Sequence, residues 1–135
     1  MNQNNRRKRL KGRSECGPFL ALSKAVVIQM QKKNLSTKGY KLLIDLFEQF
    51  NGKNNGDLTA AWSIMKEKGW KSSETLSNAR KELVNLGFIQ LTRQGTLRPR
   101  SCSLYAVTWL CIDECGGKLG VKSTRAGSGA WQSSK

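Results

Sequence analysis

Residues 59–110 read TAAWSIMKEKGWKSSETLSNARKELVNLGFIQLTRQGTLRPRSCSLYAVTWL, and the order of patterns inside this stretch decides the fold. Thr59 is placed to cap a helix over Ala60–Lys68, with Ala61, Ile64 and Met65 turned inward. Gly69 closes that helix, because glycine takes the left-handed angle of a helix end without a Cβ penalty. Trp70 and Lys71 form a turn, and Ser72 or Ser73 caps a second helix over Ser73–Leu86. In that helix Leu76, Ala79, Leu83 and Leu86 fall on one side. Glu74, Asn78, Lys81 and Asn85 fall on the other, with Ser77 beside them. Gly87 ends it. Phe88–Thr92 and Ser103–Leu110 then read as strands, the second rich in Leu, Tyr, Val, Thr and Trp. The connection between them carries Arg93, Arg98 and Arg100, with Gly95 and Pro99 shaping it, and no acid occurs from Leu83 to Ile112.

A helix, a short turn containing glycine and a second helix form the helix-turn-helix pattern. A hairpin with a cationic tip directly after it has the form of a wing. That serial order suits duplex DNA. The helix start at Ser72 and Ser73 offers unpaired N–H groups and the positive end of the helix dipole to a phosphate, with Lys71 alongside. The outer helix face carries short polar side chains that allow close approach to a groove, and asparagine pairs with adenine through two hydrogen bonds. An ordinary solvated helix face has a similar composition, and it is the order of elements that favours DNA. The candidate base-reading residues are Ser73, Glu74, Ser77, Asn78 and Lys81. Glu74 either accepts from cytosine N4 or merely favours the helix N-terminus. The candidate backbone contacts are Lys71, Ser72, Arg93, Arg98 and Arg100, the wing arginines reaching flanking phosphates or a narrow minor groove.

Working outward, Ser23 can cap a helix over Lys24–Lys32 with Val26, Val27 and Met30 as its apolar face. Ser36 can cap another over Thr37–Phe50, with Tyr40, Leu43, Leu46, Phe47 and Phe50 spaced three and four apart. NGKNNGD at 51–57 is a firm turn signal, and Leu58 suits a very short strand after it.

The whole chain has 135 residues and a net charge of +15. Arg6, Arg7, Lys8, Arg9, Lys11 and Arg13 place +6 within the first thirteen residues, which read as a basic arm along phosphates. Residues 116–135 add +4 and, being rich in Gly and Ser, read as a flexible tail in which Trp131 either tucks back or stays exposed. The expected organisation is therefore an arm at 1–17, one domain at 18–115 and a tail at 116–135. This excess of base is the footprint of a nucleic-acid binder. With no histidine, catalytic Ser-His-Asp and Cys-His sets and His-containing zinc sites are excluded. The nine acids are scattered, which disfavours a metal-dependent nuclease, so no enzymatic activity, cofactor or small-molecule substrate is expected. No apolar run is long enough to span a membrane and the first residues lack a secretory signal. A cytoplasmic, nucleoid-associated location and reduced cysteines follow as expectations. Cys102 would approach Cys111 and Cys115 if the hairpin forms, but only Cys111 and Cys115 have near-knuckle spacing, so buried thiols are favoured over zinc. No coiled-coil heptads appear, so a homodimer would need another surface. RNA binding and a protein-interaction module are the alternatives to duplex DNA.

The segments FLALSKAVV (19–27), FNGKNNGDL (50–58), GWKSSETLSNARKELVNLGFIQLTRQG (69–95), SLYAVTW (103–109) and IDEC (112–115) carry a family resemblance. Together they make the chain resemble winged helix-turn-helix proteins encoded by bacteriophages, prophages and related mobile elements. The resemblance implies an α+β winged helix-turn-helix, a three-helix core plus a β-hairpin wing, with an extra N-terminal helical segment. It also implies double-stranded DNA as partner, in a regulatory or replication-associated role.

Overall fold

The computed structural model describes residues 17–98 and 100–132. The basic arm expected at Arg6, Arg7, Lys8, Arg9, Lys11 and Arg13 lies outside the described residues. Among the described residues, four α-helices, a three-stranded antiparallel sheet and a two-stranded ribbon make an α+β fold. Helix α1 spans Lys24–Lys32 and α2 spans Thr37–Phe47; strand β1 is Leu58–Thr59. Helix α3 is Trp62–Met65, continued by a 3-10 turn over Lys66–Lys68, and α4 is Ser73–Asn85. Strands β2 (Ile89–Arg93), β3 (Thr96–Leu97), β4 (Arg100–Ser101) and β5 (Leu104–Val107) follow. No helix among the described residues is long and apolar enough to cross a membrane.

The helix starts obey local chemistry. Ser23, Ser36 and Ser72 each accept a backbone N–H of the first turn, from Ala25, Gly39 and Thr75 respectively. Such caps stabilise a helix by roughly 1 kcal/mol each. Gly69 sits at φ 92° at the end of the 3-10 turn, a backbone angle that costs other residues strain. The apolar faces of α2 and α4 pack on each other and close the core with Leu42, Leu43, Leu46, Phe47, Leu76, Leu83 and Phe88. Burying one such side chain stabilises the fold by about 1.5–3 kcal/mol.

The sheet runs in the order β1-β5-β2, so β5 is central and antiparallel to both neighbours. Leu58 pairs with Tyr105 on one edge, and Ile89 with Val107 and Leu91 with Tyr105 on the other. The β2–β5 register shifts between Leu91 and Arg93, a bulge that leaves Thr92 unpaired with β5. Thr92 is instead buried, its hydroxyl donating to the Gly56 carbonyl and its own carbonyl accepting from Gly120 N. Bulges bend a strand and increase its twist, and here the bend sits where the chain leaves the sheet toward β3 and β4. Those two strands pair only with each other, Leu97 opposite Arg100 and Thr96 opposite Ser101.

Several expectations need correction. Helix α2 ends at Phe47 rather than Phe50. Phe50 keeps the helical spacing without the helix, because its ring stacks on Phe47 at 5.7 Å. The helix expected from Ala60 begins at Trp62 and tightens into a 3-10 turn after one α-turn. Thr59 Oγ1 still accepts from Ala61 N, but Ile64, expected inward, is 41% exposed and only Met65 reaches the core. Ile64 and Met65 are neighbours about 100° apart on a single α-turn, so with Met65 turned to the core Ile64 points away from it. Helix α4 stops at Asn85, with Leu86 as its C-cap. Strand β2 keeps its expected length but runs one residue later, Ile89–Arg93 rather than Phe88–Thr92, and β5 is shorter, Leu104–Val107 rather than Ser103–Leu110, with all four residues buried. Trp70 lies in the turn as expected, and its side chain, 3% exposed, also belongs to the core.

The stretch after Cys115, expected as a loose tail, is tied to the domain through Gln132. Gly120 N, Thr124 N and Gly129 N donate to the carbonyls of Thr92, Ile112 and Thr108. Trp131 packs against the core, and Lys33 Nζ joins its carbonyl to that of Leu86 with two 2.8 Å hydrogen bonds.

Candidate nucleic-acid interface

Helix α4 is held in place from α2. At its leading end, Trp70 Nε1 donates to Asp45 Oδ2 at 2.8 Å, and Lys41 Nζ donates to the same oxygen at 3.0 Å and to the Lys68 carbonyl at 2.7 Å. Lys38 and Lys41 also lie over the Trp70 ring at 5.7 and 5.4 Å. One carboxylate and two ammonium groups of α2 thus clamp the turn between α3 and α4. Further along, Glu82 accepts from Ser36 N at 3.2 Å and from Ser36 Oγ at 2.6 Å. Its negative charge sits at the positive end of the α2 dipole. The approach is so close that a Cβ on Gly39 would lie 2.6 Å from Glu82 Oε1 and 2.5 Å from Leu35 Cδ1.

With the inner face so fixed, the outer face is open. Ser73, Glu74, Asn78 and Lys81 are exposed, as are Lys71 and Ser72 just before the helix. Ser72 uses its side-chain oxygen on Thr75 N at 3.3 Å. Ser77 is half-buried and accepts from Arg80 Nη2 at 3.4 Å. Arg80 Nη1 donates in turn to the Tyr105 hydroxyl at 3.2 Å, bridging α4 to the central strand. A groove of about 350 Å³ lies along this edge, with Arg80 and Val84 on one wall, Leu91, Gln94 and Ser103 on the other, and Tyr105 between. The root of the β2–β5 hairpin therefore flanks the Ser77–Arg80 edge of α4. Asn78 lies on the opposite flank, in a groove with Ser36, Lys38, Thr75 and Glu82.

The hairpin tip is built by its own serines. Gly95 N donates to Ser103 Oγ at 2.9 Å, Thr96 N donates to Ser101 Oγ at 3.2 Å, and the Thr96 and Ser101 hydroxyls are 2.8 Å apart. Arg98 and Arg100 are exposed on this tip. Arg93 is not like them. It is half-buried and its Nη2 donates to the Cys102 carbonyl at 3.0 Å, so its guanidinium braces the hairpin. Two further cations border α4, Lys38 on the Asn78 flank and Arg80 on the hairpin flank. Lys38 left no local signal, because only the packing of α2 on α4 brings it beside Asn78. Arg80 did leave one, since it follows Ser77 by three residues at the margin of the apolar stripe.

Cys102 does not approach Cys115. The Thr59 hydroxyl donates to Cys102 Sγ at 3.4 Å ahead of β5, whereas Cys115 lies beyond the other end, its Sγ 3.8 Å from the Asn55 carbonyl. Burial pushes the Cys115 thiol up, and the charges of Asp57 and Asp113 add to the shift. Among the described residues no group of three or more His, Cys, Asp or Glu side chains is placed to hold a metal ion. No family model, curated protein or solved structure matches this chain.

Proposed function

We propose that the chain is a non-enzymatic double-stranded-DNA-binding protein with a winged helix-turn-helix domain. Helix α4 is its reading element and the β3–β4 tip its wing, in the regulatory or replication-associated role that the resemblance to phage and mobile-element proteins implies. One observation carries the reading. The order α2-β1-α3-α4-β2-β5, with sheet order β1-β5-β2, leaves the polar outer face of α4 open beside an acid-free hairpin bearing Arg98 and Arg100. In this reading Lys71 and the first turn of α4 meet one phosphate strand, and Arg98 and Arg100 meet the flanking backbone or minor groove. Glu74, Asn78 and Lys81 face base edges in the major groove, with Ser73 and Ser77 at the margins. Arg93 acts indirectly, by stiffening the wing. RNA binding gains no support from Trp70 and Trp109, whose rings are engaged with Lys38, Lys41 and Phe47 inside the domain. The test is selection of bound fragments from a random duplex pool with single-stranded RNA as competitor. Enrichment of a common duplex motif supports the reading, and retention of the RNA alone overturns it.

A further inference from the structure

The wing tip carries a side chain that the electrostatic account does not use. Leu97 is 89% exposed, far more than Ile64, Val84 or Leu91, which keep more than half of their surface covered. An exposed leucine is ordinary on a protein surface, and exposure alone carries nothing. Its setting is less ordinary. Leu97 belongs to a two-residue strand that pairs only with Arg100–Ser101, so it adds nothing to the core. Arg98 follows it directly and Arg100 is its cross-strand partner, and both arginines are exposed. The Ser101, Ser103 and Arg93 hydrogen bonds hold the tip, so Leu97 is displayed on a braced hairpin rather than on a loose loop. Apolar side chains flanked by phosphate-binding cations are the equipment with which proteins enter the minor groove and pry neighbouring base pairs apart.

We infer that Leu97 is a wedge that enters the minor groove of bound duplex DNA, unstacks one base step and bends the duplex, while Arg98 and Arg100 hold the phosphates on either side. The inference rests on the DNA-binding reading and adds a deformation to it. The cost of unstacking falls on the DNA sequence under the wing, so the wedge selects flexible pyrimidine–purine steps that α4 does not touch.

The test uses the full chain and a short duplex recovered from the random pool, with donor and acceptor dyes at its ends and 2-aminopurine at successive steps. Wild-type protein is expected to shorten the end-to-end distance and raise 2-aminopurine fluorescence at one step. Leu97→Ala, at a position outside the core, is expected to abolish both signals and weaken binding roughly tenfold, while Leu97→Met preserves them. Arg98→Ala with Arg100→Ala reduces salt dependence instead. A duplex that binds but stays straight, or a bend that survives Leu97→Ala, overturns the wedge and leaves the DNA-binding reading standing. Failure to bind any duplex overturns both. A Leu97→Ala protein that loses a protein partner but bends DNA normally assigns Leu97 to that partner instead.

Discussion

The side-chain amide of Asn55 holds the backbone of Val107 by both of its groups: Nδ2 donates to the Val107 carbonyl at 3.1 Å and Oδ1 accepts from Val107 N at 2.9 Å. The amide thus stands in for a further residue pair on the edge of β5 where β1 pairs only through Leu58 and Thr59. Nδ2 also reaches the carbonyls of Leu110 and Cys111 at 3.3 and 2.8 Å, and Asn55 N donates to Asp113 Oδ2 at 2.8 Å. One fully buried side chain therefore joins the 51–57 turn to the strand that returns from the wing. Replacing it strands several buried backbone groups, each costing about 1–3 kcal/mol. Asn55→Ala is expected to destabilise the domain by about 2–4 kcal/mol in urea unfolding, and Asn55→Asp, which cannot donate, by a similar amount. Wild-type stability in both variants would show that water replaces the amide.

Glu82 caps a helix to which it does not belong. Glu82→Ala is expected to cost about 1 kcal/mol, from a lost hydrogen-bonded cap on α2 and a lost charge at its positive end. Double-mutant analysis with Ser36→Ala is expected to recover much of that cost as coupling. Independent effects would mean that the pair contributes nothing beyond its separate side chains.

The three wing arginines are expected to behave differently. Losing Arg98 and Arg100 should weaken binding to all duplexes alike and reduce the salt slope by about 0.9 for each lost phosphate contact. Arg93→Ala should instead lower thermal stability of the hairpin with a smaller change in slope, because its Nη2 is bonded to Cys102 O. Titrations at several salt concentrations separate the two, and identical slopes for all variants would remove the wing from the interface.

Asn78 is expected to read one base. Asn78→Ala should change preference at a single position by about 1–3 kcal/mol in competition binding. Equal loss across all sequences would assign it to the backbone, beside Lys38.

Cys115 is expected to remain a thiol at neutral pH and to be alkylated more slowly than the exposed Cys102, as peptide mass mapping would show. Its folded value lies above its unfolded one, so it favours the fold fully below the unfolded thiol value, about 8.5. That contribution is lost as pH rises from there through the folded value. Cys115→Ser should therefore flatten the alkaline fall of stability, and an unchanged alkaline limb would contradict this.

How much of this was legible depended on the range of the interaction. Serine caps at Ser23, Ser36 and Ser72 and the stop at Gly69 act within a few residues, so the sequence announced them. Phase was hard to read where the helix was a single turn, as in Trp62–Met65, which turns Met65 inward and leaves Ile64 outside. Contacts between distant segments left almost no trace. Nothing near Trp70 indicates that Asp45 will accept its indole N–H, nothing near Glu82 points to Ser36, and a Gly- and Ser-rich stretch gave no sign of its bonds to Thr92, Ile112 and Thr108. In the candidate site the helix face was readable because it is one amphipathic pattern. The engagement of Arg93 and the arrival of Lys38 were not, because each depends on a second element.

Mapping amide shifts on the full chain as a selected duplex is added tests the central claim most directly. The account predicts that Lys71–Lys81 and the wing around Leu97 to Arg100 move together at one saturating stoichiometry, while the Asn55 turn stays still. Perturbation confined to the α1 side of the domain, or of α4 without the wing, would contradict it.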